Sequence, residues 1–247
     1  MSPFVAEIIG TLLLILLGNG VVANVVLSQT KGNNSGWIVI SLAWGMAVFT
    51  GVWVAGPYSG AHLNPAVTLG LAVAGKFEWA QVVPYIVAQF IGAALGQTLV
   101  WLSYKDHYAV TDDRDAKLAT FCTAPAIRNT LSNIFTELVG TFVLIFAVLY
   151  AVSPSFTAES LPNATLGLGT LGALPVALLV VAIGLSLGGP TGYAINPARD
   201  LGPRIMHLIL PIPDKRDSDW GYAWIPVVAP LAGALVAAGL FLALSQA

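Results

Sequence analysis

The 247-residue chain is 57% hydrophobic and only 9% charged, with a mean hydropathy of +0.81 and a formal net charge of -2. Soluble domains are roughly a quarter charged, so this balance excludes an ordinary soluble fold and indicates a polytopic membrane protein. A pI near 5.8 without any run of Lys and Arg excludes a nucleic-acid track, and one cysteine, Cys122, excludes an intrachain disulfide or a Cys-based metal cluster.

Read from the N-terminus, the first apolar stretch covers about 4–27. It lacks a basic flank and is too long for a signal-peptide core, so it is expected to persist as a membrane helix. Further stretches at about 37–56, 82–103, 132–152, 172–189 and 222–244 are each long enough, or nearly so, to cross a bilayer, for which about 20 residues suffice. The polar segment Lys105 to Thr130 reads as a solvated loop between two halves, and Pro211–Asp219 as another. Asn33-Asn34-Ser35 and Asn163-Ala164-Thr165 match the glycosylation pattern but imply nothing without a secretory context.

Two segments interrupt this series, Ser59–Gly70 and Thr191–Gly202, and each carries Asn-Pro-Ala at the head of a short apolar run. Asn can cap a helix, and Pro fits its first position because the amide it lacks has no partner there anyway. Both runs therefore predict half-helices of roughly ten residues, which meeting end to end would cross about one membrane thickness. The pair Asn64-Pro65-Ala66 and Asn196-Pro197-Ala198 is offset by 132 residues; Glu7-x-x-Gly10-Thr11 recurs as Glu137-x-x-Gly140-Thr141 at an offset of 130. The fold class that follows is an all-α membrane protein of six transmembrane helices plus two re-entrant half-helices in one domain over 1–247. Its repeats, approximately 1–104 and 131–247, contain three spans each, so the second inserts inverted. Irregular backbone at mid-membrane depth is tolerated only in protein or beside water, which implies a pore or binding cavity where the half-helices meet.

With its carbonyl capping its own half-helix, each of Asn64 and Asn196 is expected to turn an amide group with two donors into that cavity. Two converging helix N-termini add partial positive charge that repels cations. Arg199, one residue past the second Asn-Pro-Ala, stands in an apolar region where an unpaired guanidinium is costly, and is expected to face the lumen. The buried carboxylates Glu7 and Glu137 require partners.

These paired motifs on a six-span inverted repeat resemble the aquaporin, or major intrinsic protein, family over nearly the whole chain. Asp200 after Arg199, with Gly202-Pro203-Arg204 beyond, is similar to its aquaglyceroporin branch. The resemblance implies a passive channel for glycerol and other small neutral solutes, with water, that excludes ions and protons. It implies no enzyme activity, no cofactor and no metal. Trp44, Gly184, Tyr193 and Arg199 match the family's selectivity filter: Trp44 and Tyr193 an apolar corner, Arg199 a hydroxyl-binding donor, Gly184 a missing side chain that widens the pore. The commonest glycerol-facilitator pattern has Phe where Tyr193 stands. The resemblance also gives Glu7 and Glu137 backbone amides of the pore loops as partners, and it implies a homotetramer. His62 either fixes the first loop through a backbone contact or lines the pore, while Asp200 is expected to pair with a nearby base or cap backbone.

A coupled secondary transporter of a small polar solute is the alternative, since broken helices serve those proteins too. It is disfavoured because the embedded acids Glu7, Glu137 and Asp200 include none paired with His or Lys at helical spacing. On orientation two arguments conflict. The loops on the side of the termini hold only Lys76, against Lys31, Lys105, Arg114, Lys117, Arg128, Lys215 and Arg216 on the other, which would put both termini outside. Family resemblance puts both termini in the cytoplasm of a plasma-membrane protein.

Overall fold

A computed structural model describes residues 1–152 and 167–245, and every regular element among them is helical. Six helices are long and apolar enough to cross a membrane. These are α1 (Pro3–Val26), α2 (Trp37–Ser59), α4 (Trp79–Ser103), α7 (Thr130–Leu149), α8 (Leu174–Leu187, led in by a 3-10 turn at Gly169–Ala173) and α11 (Ile225–Ser245, preceded by the short α10 at Trp220–Ala223). The half-helices α3 (Pro65–Val73) and α9 (Pro197–Ile209) lie between α2 and α4 and between α8 and α10. At 1.5 Å per residue the two together span about 33 Å, one bilayer core.

The duplication appears in the packing. On α4, a Cβ at Gly92 would collide with the carbonyl of Ile8 on α1; on α11, a Cβ at Gly233 would collide with the carbonyl of Leu138 on α7. Small residues thus bring backbones together at matching places in both repeats, which suits association in lipid, where packing rather than water expulsion drives helices together. The halves join where α2 packs on α8, with Gly45 against the Ala177 carbonyl and Val181.

Three boundaries differ from the sequence expectation. Helix α2 continues through Pro57 to Ser59: the interior Pro removes one amide donor, and the last turn is held by Ser59, buried and bonded to Glu7 at 2.6 Å. Helix α9 continues past Gly202-Pro203-Arg204 to Ile209, its buried Arg204 paired with Asp200 and with backbone carbonyls rather than water. The segment Lys105 to Thr130 is not a solvated loop: it forms α5 (Lys105–Ala109) and α6 (Arg114–Ala119) and buries Tyr108, Leu118, Phe121 and Cys122. Lys117 is buried too, its Nζ donating to the Pro213 carbonyl at 2.6 Å, and Arg128 pairs with Asp219. Asn33 donates to the carbonyls of Val25 and Leu27; Asn163 lies outside the described residues.

Candidate functional site

Asn64 and Asn196 are the N-caps of α3 and α9, with Pro65 and Pro197 at the first helical position. Asn64 Oδ1 accepts from the Ala66 amide at 2.8 Å; Asn196 Oδ1 accepts from Ala198 and Arg199 at 3.0 and 3.2 Å. The amide groups then reach across the repeat axis. Asn64 Nδ2 donates to the Ile195 carbonyl at 2.8 Å, and Asn196 Nδ2 to the Leu63 carbonyl at 2.9 Å. Each Asn therefore keeps one donor for the lumen rather than two, the other being spent on locking the opposite loop. Pro65, Ala66, Pro197 and Ala198 are buried where the helix ends abut.

Leu63 and Ile195, the residues before each Asn, have φ of 53° and 42°. The left-handed region is costly for an aliphatic side chain, above all a β-branched one, and persists only where surroundings over-determine it. Here they do. Glu7 accepts from the His62 and Leu63 amides at 2.9 and 2.8 Å, and Glu137 from the Ala194 and Ile195 amides at 2.9 Å each. Both strained residues thus have their N–H held by a carboxylate from the same repeat and their C=O by an Asn from the other. Both carboxylates are fully buried, and Glu7 also accepts from Ser59 and Gln89. Nothing in the sequence pointed to left-handed Leu63 and Ile195, because no local preference puts them there.

A cavity of about 680 Å³ runs between the half-helices. Trp44, Tyr193 and Arg199 bound one end; it passes Asn64, Asn196 and the 60–63 and 193–195 backbone, and reaches Val152, Gly167 and Leu168 at the other. Aliphatic side chains such as Leu14, Val48, Val67, Leu144 and Val180 make the remaining wall. Arg199 lies with Cζ 4.2 Å from the Trp44 ring centroid, so the guanidinium stacks on that ring rather than facing it across open space. Its Nη1 has no hydrogen-bond partner among the described residues.

Gly184 does not line the cavity. A Cβ there would stand 2.8 Å from Tyr193 Cζ and 3.0 Å from its hydroxyl, so the space that glycine vacates is filled by the Tyr193 ring. His62 has its backbone amide held by Glu7 and its ring Nδ1 3.0 Å from Thr68 Oγ1, a side chain rather than backbone, and it is one of the residues lining the cavity. Asp200 is remote from the lumen. Its Oδ1 bonds Arg204, and its Oδ2 accepts from both the amide and the hydroxyl of Thr123 at 2.7 Å. Arg204 continues to the carbonyls of Thr123 and Ser218.

Comparison with known proteins agrees with this architecture. The sequence pattern described as "Major intrinsic protein" matches residues 1–241. The chain belongs to the major intrinsic protein family. Within that family it is 56% identical over 241 residues to the glycerol uptake facilitator protein of Streptococcus pneumoniae, covering 98% of both chains. It is 54% identical over 241 residues to the probable glycerol uptake facilitator protein of Thermotoga maritima, again over 98% of both. The X-ray structure of the aquaglyceroporin from Plasmodium falciparum superposes with a TM-score of 0.80 at 33% identity, over 96% of this chain and 93% of that one. Members of this family are channels rather than enzymes. Among the described residues no cluster of His, Cys, Asp and Glu could hold a metal ion.

Proposed function

We propose that the protein is a passive channel for glycerol and similar small neutral solutes, with water, in the plasma membrane. The observation that carries this reading is one cavity at one end of which Arg199, its Nη1 without a partner among the described residues, meets the apolar faces of Trp44 and Tyr193. A polyol has hydroxyls on one edge and CH groups on the other. Arg199 serves the hydroxyls, the aromatic faces take the carbons, and Asn64 and Asn196 each offer one further donor midway. Two helix N-termini and a guanidinium on the same path repel cations, and a narrow apolar wall strips anions of water without replacing it. Glycerol facilitators at more than half identity support the solute.

A coupled transporter would need an acid free to load and release a proton or ion. Glu7, Glu137 and Asp200 are instead each bonded to backbone amides and buried away from the lumen.

Orientation follows the family, with both termini cytoplasmic. Four of the seven loop cations that argue otherwise are engaged structurally: Lys117 and Lys215 on backbone carbonyls, Arg128 on Asp219, Arg216 on Asp115. A homotetramer with one pore per subunit is part of the same reading.

Proteoliposome swelling tests the function. Reconstituted protein is expected to accelerate both glycerol and water flux without a proton current; failure to accelerate either, or a proton current comparable with solute flux, overturns it.

A further inference from the structure

Trp37, Ser41 and Gly45 stand one turn apart on α2 and form its face toward α8. Trp37 Nε1 donates to the Gly184 carbonyl at 2.9 Å, and its ring meets Tyr193 edge-on with centroids 5.8 Å apart. Gly45 abuts Val181 and Ala177. Ser41, between them, is fully buried, and among the described residues its hydroxyl has no hydrogen-bond partner, its own helix included. Thr50, Thr98 and Ser103, by contrast, each bond the carbonyl four residues back.

The Tyr193 hydroxyl is also buried and also has no partner at hydrogen-bond geometry among the described residues. A hydroxyl turned to a lumen wide enough for water would be accessible; this one is buried against Gly184, whose carbonyl is bonded by Trp37, one turn before Ser41 on α2. Burying either hydroxyl dry is unfavourable, and because both belong to the α2–α8 contact around Gly184, each offers the other the partner it lacks.

We propose that Ser41 is a positioning residue for the narrow end of the channel: its hydroxyl pairs with that of Tyr193 and holds the ring back against Gly184, so that the α2–α8 contact sets the lumen width. The inference rests on reading Trp44, Tyr193 and Arg199 as the filter. It follows that the Tyr193 hydroxyl does not touch the solute, and the ring offers the same apolar face that Phe would.

Removing the Ser41 hydroxyl leaves water in the lumen as the remaining partner for the tyrosine. The ring is then drawn toward Arg199, and glycerol suffers more than water. The test is stopped-flow permeability of the wild type, Ser41→Ala, Tyr193→Phe and the double variant in proteoliposomes, normalised to folded protein. Ser41→Ala is expected to lower the glycerol-to-water ratio about fivefold, the order of one lost hydrogen bond. In the Tyr193→Phe background the same substitution is expected to do nothing, since no hydroxyl remains to swing. An unchanged ratio in Ser41→Ala, or an equal fall in both backgrounds, overturns the pairing. If Ser41→Ala does not fold, Ser41→Cys, nearly the same size with a weak donor, carries the same expectation. Tyr193→Ala separates the two levels: the filter reading requires it to raise passage of erythritol, a four-carbon polyol, relative to glycerol. No change there sinks the filter itself, whereas a rise together with a hydroxyl-independent Ser41 effect sinks only the pairing.

Discussion

At Gly184 even a methyl group would stand 2.8 Å from Tyr193 Cζ, so the smallest substitution pushes the ring off α8 and into the cavity that Tyr193 lines. Gly184→Ala is therefore expected to cut glycerol permeability by about tenfold, equivalent to about 1.4 kcal/mol on the barrier. Water, a one-oxygen permeant, should fall less. Stopped-flow measurement of both solutes checks this, and unchanged glycerol flux in a folded variant would show that the ring does not narrow the path. The residue types place Gly184 and Tyr193 in one site but do not show that the glycine's empty volume goes to the tyrosine ring rather than to the lumen. Which neighbour fills a missing side chain is decided by the fold around it.

Among the elements, α9 depends most on partners outside itself. In the first repeat Thr68 holds the matching place to Asp200, and it is tied within that repeat, to His62, Gln89 and its own helix turn. Asp200 instead reaches out to Thr123 in the linking segment and inward to Arg204, which is wholly buried. A buried guanidinium without its carboxylate is strongly unfavourable, so Asp200→Ala should destabilise the protein by about 3–5 kcal/mol. Thr123→Val, which forfeits one hydroxyl bond and leaves the amide bond intact, should cost about 1 kcal/mol. Thermal unfolding in detergent should rank wild type above Thr123→Val above Asp200→Ala; equal midpoints would deny the bridge its structural part. At the far end of α9, Lys215 Nζ donates to the carbonyls of His207, Leu208 and Leu210, closing the helix with a cation. Its partial burial pulls the ammonium below the ordinary lysine value.

For the molecule as a whole, the direction of insertion is where charge counting and architecture part. Lys76 donates to the Leu149 carbonyl at 3.0 Å and lies over the Phe241 ring, so even the lone cation beside the termini closes a helix end. On both sides, then, some of the counted cations are structural parts of the fold, and the count alone does not set the topology. A tag at the C-terminus is expected to be protected from protease on intact cells and cleaved after permeabilisation; cleavage on intact cells would reverse the orientation.

Composition and hydropathy were enough for six spans, because membrane insertion depends on local transfer of about 20 residues at a time. The half-helices were equally legible, since Asn capping and Pro at the first turn act within three residues, and the duplication put two such signals in one chain. The tertiary structure alone decided what joins them: Asn64 to Ile195, Asn196 to Leu63, Glu7 to the first pore loop, Glu137 to the second and Thr123 to Asp200. These contacts cross 55 to 133 residues of chain. They hold Leu63 and Ile195 in a backbone state their own side chains disfavour. A sequence read locally registers that preference, whereas the fold overrides it by meeting both polar groups of each strained residue from distant parts of the chain.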